Sequence, residues 1–188
     1  MMYDLTIIGG GPAGVAAGVY AARKRLKTLF LTHEWGGQST VSPGIENWIG
    51  TVNVSGTSLA KMLKEHLDAY KADIVDIKEG ELVSKITKSG EGFTVATESG
   101  ASYDTKTVLI ASGSHRRKLE IPGAAEFENK GITYCASCDG PLFAGKDVVV
   151  VGGGNAGFET AAQLLAYAQS VTLLQRGKDY RADPVTVQ

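Results

Sequence analysis

At 188 residues the chain has room for one domain and a fraction of a second, since soluble domains run at roughly 100 to 200 residues each. Lys and Arg number 19 against 20 Asp and Glu, a net charge of -1, so no basic footprint points to nucleic acid or to an anionic membrane surface as a partner. A hydrophobic share of 43% suits a packed core, and no apolar run approaches the ~18 residues that a membrane span needs. The opening Met1-Met2-Tyr3-Asp4 lacks the basic and apolar regions of a secretory signal, so the chain reads as soluble, unexported and cytoplasmic. Glycine is the compositional outlier, 24 residues against a usual ~7%, which turns attention to tight turns and ligand loops.

In chain order, Leu5 to Ile8 forms a short apolar run closed by glycines, and Pro12 to Arg25 follows in helical company. Thr28 to Leu31 supplies the next apolar run, completing a βαβ unit. Leu59, Met62, Leu63, Leu67 and Tyr70 recur at helical steps in a segment started by Thr57 or Ser58, which predicts an amphipathic packing helix to about Lys71. From Glu81 the texture changes to short runs, Leu82 to Ile86, Phe93 to Thr97 and Tyr103 to Ile110, separated by Ser-Gly turns. This is a small antiparallel meander whose last run, through Ala111, re-enters the first sheet. Ser114 to Pro122 reads as a linker with a solvated charge run. Val148 to Val151, a glycine cluster, a helix from Asn155 to about Ala168 and Val171 to Leu174 then repeat the opening pattern. The fold class is therefore α/β: a Rossmann-like unit with a meander, followed by the start of a second Rossmann-like unit that stops after two strands.

The chemistry concentrates in three places. Gly9-Gly10-Gly11-Pro12-Ala13-Gly14 matches G-x-G-x-x-G between a strand and a helix, the context in which the pattern signifies dinucleotide binding. Gly9 permits the turn, Gly11 lets backbone approach a diphosphate on the helix start, and Gly14 packs helix on strand. Glu34 follows 20 residues after Gly14, where a carboxylate reaches an adenosine ribose. Gly152-Gly153-Gly154-Asn155-Ala156-Gly157 repeats the fingerprint, but its strand end carries Gln175-Arg176 and no acid, so Arg176 and Arg181 stand either as contacts to a 2′-phosphate or as surface arginines. The only cysteines, Cys135 and Cys138, form one CxxC, suited to a reducible disulfide or to half a metal site. The metal alternative lacks two further ligands: there is no second CxxC, His66 lies on the packing helix, and His33 and His115 fall in expected loops. No metal and no catalytic histidine are expected. Asp139 is placed to move a thiol proton, or belongs to an ordinary Asp-Gly turn.

Together these motifs, with Gly36-Gly37-Gln38, Glu46-Asn47-Trp48 and Cys135-Ala136-Ser137-Cys138-Asp139-Gly140, resemble the low-molecular-weight thioredoxin reductase family over essentially the whole chain. Tyr134 to Asp147 is similar also to the flavoprotein component of alkyl hydroperoxide reductase. The resemblance implies FAD on the first fingerprint (Gly9, Gly11, Pro12, Ala13, Gly14), with Glu34 toward the ribose, Gln38 and Asn47 near the flavin side, and Gly37 and Ala111 also among the cofactor-binding residues. It implies NADPH or NADH on the second (Gly152, Gly154, Asn155, Ala156, Arg176, Arg181). Cys138 would lie nearer the isoalloxazine, and Cys135 would attack a partner disulfide with Asp139 as proton donor. The expected partner is a thioredoxin-like or peroxiredoxin-like dithiol protein, and the expected assembly a homodimer. Expected domains are an FAD-binding segment at 1–113, a linker at 114–122 about which the domains rotate, and a partial NAD(P)-binding domain at 123–188. NADPH-using members carry His-Arg-Arg and a further Arg where this chain has Gln175-Arg176-Gly177 and Arg181, leaving NADH and NADPH both open. The family's carboxyl-terminal Gly-Asp segment has no counterpart here, so the chain is expected to be the first part of a larger enzyme; the alternative is a catalytically silent dinucleotide-binding or interaction module.

Overall fold

The computed structural model describes residues 2–114, 117–128 and 130–187. His115 and Arg116, part of the expected linker and charge run, lie outside them, as does Asn129. The chain divides into two compact units, residues 1–115 and 116–188, a boundary inside the 114–122 segment.

In the first unit β1 (Met2–Gly10), α1 (Pro12–Arg23) and β2 (Thr28–Trp35) form the opening βαβ motif, with β1 and β2 parallel. Pro12 suits the first helical position because its missing N–H has no intrahelical acceptor there. A 3₁₀ turn (Gly37–Val41) leads to α2 (Gly56–Lys71), whose N-cap Ser55 accepts a hydrogen bond from the Ser58 amide at 3.2 Å. β3 (Val75–Glu79) follows, then β4 (Val83–Ser89), β5 (Gly92–Thr97) and β6 (Ser102–Ile110). The six strands form one sheet in the order β3-β2-β1-β6-β5-β4. β4, β5 and β6 pair antiparallel as the expected meander, and β6 returns parallel to β1. β3 was not among the expected elements, and His33, expected in a loop, lies within β2, which continues to Trp35 through its pairing with Gly10 of β1.

The buried run of β2 serves both faces of the sheet, since successive side chains alternate. Phe30 packs with Ile7, Val15, Val19, Leu59, Leu63, Leu67 and Val75 under the helices. Leu29 and Leu31 pack with Tyr3 and Val95 beneath the meander. Leu59, Leu63 and Leu67 are the buried stripe of α2, whereas Met62 and Tyr70 of the expected stripe are largely exposed.

The second unit contains α3 (Ala124–Phe127), α4 (Ala136–Asp139), a 3₁₀ turn (Gly140–Phe143), β7 (Asp147–Val151), α5 (Asn155–Leu164), β8 (Ser170–Leu174) and α6 (Pro184–Val187). α5 ends at Leu164, short of the expected Ala168, and the chain turns there with Ala168 N–H donating to Leu164 O at 2.8 Å. β7 and β8 are parallel, and Val149, Val151 and Leu174 are exposed on this two-stranded sheet. No helix among the described residues is long and apolar enough to cross a membrane.

Candidate functional site: two glycine turns and a disulfide

The two fingerprints are built alike. Gly9 and Gly152 take φ of +118° and +133°, a region that L side chains rarely enter. The next turn residue but one, Gly11 or Gly154, is the extended N-cap of its helix, and neither makes a side-chain capping bond. Neither helix has an acidic residue in its first turn. In α1 the first helical bond runs from Val15 N–H to Gly11 O at 3.0 Å, so the Ala13 and Gly14 amides precede the ladder and face outward with the positive end of the dipole.

What a methyl group would meet separates the glycines by role. A Cβ on Gly14 would overlap Gly9 O, and one on Gly157 would overlap Gly152 O, so each helix touches its strand backbone to backbone. A Cβ on Gly11 or Gly154 would find no protein atom within 4 Å. These cradles, with open volume in front of uncapped amides, fit the diphosphate of a dinucleotide. By contrast, a cleft of about 490 Å³ between Tyr20, Arg23, Lys24, Arg25 and Tyr70 lies at the other end of α1, where the dipole disfavours anions.

Around the first turn, Gly36 N–H donates to Gly10 O at 2.9 Å, and a Cβ on Gly37 would stand 3.6 Å from Gly11 Cα. The Gly37–Gln38 turn is thus at the mouth of the cradle, held by Ser39 Oγ donating to Gly36 O at 2.6 Å and Thr40 Oγ1 to Gly37 O at 2.9 Å. Ala111 is beneath it: its N–H donates to Ile8 O at 2.8 Å and its carbonyl faces Gly9. Glu34 is exposed near the end of β2, and Asn47 is exposed on the loop closed by the Ile45–Val54 bridge. Trp35 and Trp48, which flank this segment, both pack against the core, Trp35 stacked on Phe30 at 5.5 Å.

In the second turn the pairing Val151↔Leu174 matches Ile8↔Leu31, so the counterpart of Glu34 is Gly177 and no carboxylate stands there. Gln175 fills the space above Gly153 and donates from Nε2 to Asp179 O at 2.5 Å. Asn155 and Asp183 bond reciprocally, Asn155 Nδ2 to Asp183 Oδ2 at 2.8 Å and Asp183 N–H to Asn155 Oδ1 at 2.7 Å. With Arg181 N–H on Gly153 O at 2.9 Å, they fold residues 176–183 back onto the fingerprint. Ala156 follows Asn155 in the first turn of α5, and Arg176 and Arg181 are exposed and make no ion pair among the described residues.

Cys135 and Cys138 are joined in a disulfide with Cα atoms 5.3 Å apart, Cys135 as N-cap of α4 and Cys138 on its single turn. Cys138 is exposed and Cys135 half-buried. The turn is closed by Cys138 and Asp139 amides donating to Cys135 O at 3.2 and 3.0 Å. Asp139 accepts a hydrogen bond from Thr133 Oγ1, and Ser137 Oγ donates to Gln163 Oε1 of α5 at 3.1 Å. Tyr134 Oη accepts from Leu119 N–H at 3.0 Å, and Lys118 pairs with Glu128 at 2.9 Å, so the segment after the unit boundary is tied to the residue next to the disulfide turn. Among the described residues no group of three His, Cys, Asp or Glu gathers around a metal-sized site. Thr133 and Asp183 were not anticipated; each acts through a contact that no periodicity announces, Thr133 with Asp139 and Asp183 with Asn155.

The chain is 41% identical over 183 residues to the F subunit of alkyl hydroperoxide reductase from Pseudomonas aeruginosa, covering 97% of this chain and 35% of that protein. It superposes on thioredoxin reductase from Streptococcus pyogenes with a TM-score of 0.83 and 39% identity, covering 99% of this chain and 60% of that one. Thioredoxin reductase from Giardia duodenalis gives a TM-score of 0.89 at 30% identity, again covering 99% of this chain and 60% of the other. The chain therefore spans about a third of the curated relative and three fifths of the solved ones. The profile of one family, described as pyridine nucleotide-disulphide oxidoreductase, matches residues 3–185, and it is to this family that the chain belongs.

Proposed function

We propose that the chain works in an FAD-dependent NAD(P)H:disulfide oxidoreductase, in which electrons from NADH or NADPH reach the Cys135–Cys138 disulfide and pass to a small dithiol protein. The observation that carries this reading is the closed disulfide on α4 in a chain with two glycine turns of matching build. When bound, the flavin supplies the conversion of hydride chemistry into delivery of an electron pair to a disulfide.

The chain's own residues bind, orient and move protons. Residues 1–113 take FAD: Gly9 sets the turn, Gly11 leaves room for the diphosphate, and the amides of Ala13 and Gly14, after Pro12, receive it. Glu34 accepts from the adenosine ribose, Gln38 and Asn47 serve the flavin side, and Gly37 and Ala111 line the cofactor site beside the glycine turn. Residues 123–188, beyond the 114–122 linker, take the nicotinamide nucleotide on Gly152, Gly154, Asn155 and Ala156, with Arg176 and Arg181 available to a 2′-phosphate. The pair of thiols exchanges with the partner's disulfide, and Asp139 supplies the proton to the departing sulfur. The names of the relatives, thioredoxin reductase and the F subunit of alkyl hydroperoxide reductase, support a thioredoxin-like or peroxiredoxin-like partner, and a homodimeric cytoplasmic enzyme is the form we propose.

The test is direct thiol exchange. The dithiol-reduced chain, mixed with oxidised thioredoxin or a peroxiredoxin disulfide, should lose both thiols while the partner gains two. A reduced chain inert to both, or one that binds stoichiometric zinc with both thiols masked, refutes the reading.

A further inference from the structure

Asp139 has a companion that the motif does not include. Thr133 precedes the CxxC, and its hydroxyl donates to Asp139 Oδ2. The same oxygen faces the Cys135 N–H in a long contact of 3.5 Å. A threonine hydroxyl has one proton and two lone pairs. With the Cys135 amide directed at a lone pair, the proton points to the carboxylate. Asp139 is held from its other end too, because its own N–H donates to Cys135 O at 3.0 Å. Thr133 and Asp139 are both half-buried, so water competes only partly for either group. One oxygen of the carboxyl is therefore engaged by Thr133, while Oδ1 accepts no hydrogen bond among the described residues.

We propose that Thr133 is a positioning residue for proton transfer at the redox pair, holding Asp139 so that Oδ1 serves the thiols while Oδ2 is occupied. The proposal rests on the reading of Cys135 and Cys138 as a dithiol exchanging with a partner, with Asp139 as its proton carrier. In the first step one thiol of the reduced pair gives its proton to Asp139, and the resulting thiolate forms a bond to one sulfur of the partner disulfide. The partner's S–S bond breaks, and its departing thiolate takes the proton back from Asp139. In the second step the remaining thiol gives its proton to Asp139 and attacks the mixed disulfide. The Cys135–Cys138 bond forms, the second partner sulfur leaves, and it too is protonated from Asp139. The pair is oxidised by two electrons, the partner is reduced by two, and Asp139 and Thr133 end as they began.

A carboxyl that merely drifts near the sulfurs could not favour one oxygen over the other. A fixed one can, and the difference shows in the leaving group. Departure of nitrothiobenzoate from its aromatic disulfide needs no proton, because that thiolate is a weak base, whereas departure of an alkyl thiolate from hydroxyethyl disulfide does. The ratio of the two rates within one protein reports proton delivery and cancels any loss of active material.

The experiment measures that ratio at neutral pH for the full chain, reduced and freed of reductant, and for Thr133→Val, Thr133→Ser, Thr133→Ala and Asp139→Asn. Asp139→Asn should lower the hydroxyethyl-to-aromatic ratio by about a hundredfold, in the usual range for a general acid. Thr133→Val and Thr133→Ala should lower it about tenfold, as expected for losing a hydrogen bond to a charged group, and Thr133→Ser should restore it. A ratio that falls in Asp139→Asn but not in Thr133→Val overturns the role of Thr133 and leaves the proton carrier standing. A ratio unchanged in Asp139→Asn removes the proton carrier itself. Equal slowing of both probes in Thr133→Val would mean that the hydroxyl only closes the loop, and the proposal falls.

Discussion

Replacing Gly11 and Gly14 separately by alanine should split stability from ligand binding within a four-residue stretch. At Gly14 the added methyl would run into Gly9 O, and because the obstacle is backbone no rotamer change relieves it. α1 must shift from β1, at a cost typical of overpacking, about 2–3 kcal/mol. For a unit of this size that corresponds to a fall in melting temperature of about 10 °C. At Gly11 the methyl would meet nothing within 4 Å, and the backbone is extended at φ -77° and ψ -179°, which alanine accepts. Stability should therefore change by no more than about 0.5 kcal/mol. If that open volume takes the diphosphate, the same methyl should weaken FAD binding by at least about tenfold. Both tryptophans, Trp35 and Trp48, lie in the first unit, so tryptophan fluorescence follows its unfolding without contribution from the second. FAD affinity is read by titration under the same conditions. A Gly11→Ala protein that binds FAD as well as the parent, or that melts as early as Gly14→Ala, would refute the division of roles.

Arg176→Ala should weaken NADPH more than NADH in equilibrium titrations, since only NADPH presents a 2′-phosphate to a guanidinium; equal losses would put Arg176 outside the pocket. Tyr3 is buried on β1 and donates to Asp76 Oδ2 on β3 at 2.8 Å; burial first, and that bond second, push its phenol up from 10.0 to about 12. The folded state thus holds the Tyr3 proton more tightly than the unfolded chain. The stabilisation is complete below the unfolded value and is lost as pH rises from 10.0 toward about 12. Tyr3→Phe should cost about 1 kcal/mol at neutral pH and flatten this alkaline decline in urea denaturation; an unchanged slope would count against the Tyr3–Asp76 link.

The parts of the fold that could be read from sequence are those whose signal is local. The unbroken apolar run at Leu29, Phe30 and Leu31 announces a strand buried on two faces, and Leu59, Leu63 and Leu67 announce a helix with one buried side. The glycine fingerprints are legible because φ and close approach restrict the residue type at fixed spacing. β3 was not legible: of its five residues only Val75 and Ile77 are apolar, too short a pattern to announce a strand, and its ladder is with β2, distant in sequence. Its polar side chains are spent locally, Asp76 on Tyr3 and Lys78, and Glu79 on Lys64. β2 likewise runs past its apolar residues to include His33, because Trp35 beyond it still pairs with Gly10 of β1. At the site, the CxxC and Asp139 carry their own spacing, whereas Thr133 with Asp139 and Asn155 with Asp183 meet only once the chain has folded. The end of β8 was legible as an absence: where Glu34 stands in the first unit, the second has Gly177 and no carboxylate.

Electrons from a nicotinamide coenzyme should arrive at Cys135 and Cys138. The most direct measurement joins the chain to the part of the Streptococcus pyogenes thioredoxin reductase that it does not span, loads FAD, and titrates anaerobically with NADH and NADPH while counting thiols. No thiols should be found before reduction and two per chain at the end point, with Cys138→Ser leaving the flavin reducible but abolishing disulfide reduction. Flavin that bleaches fully while Cys135 and Cys138 remain joined would contradict it.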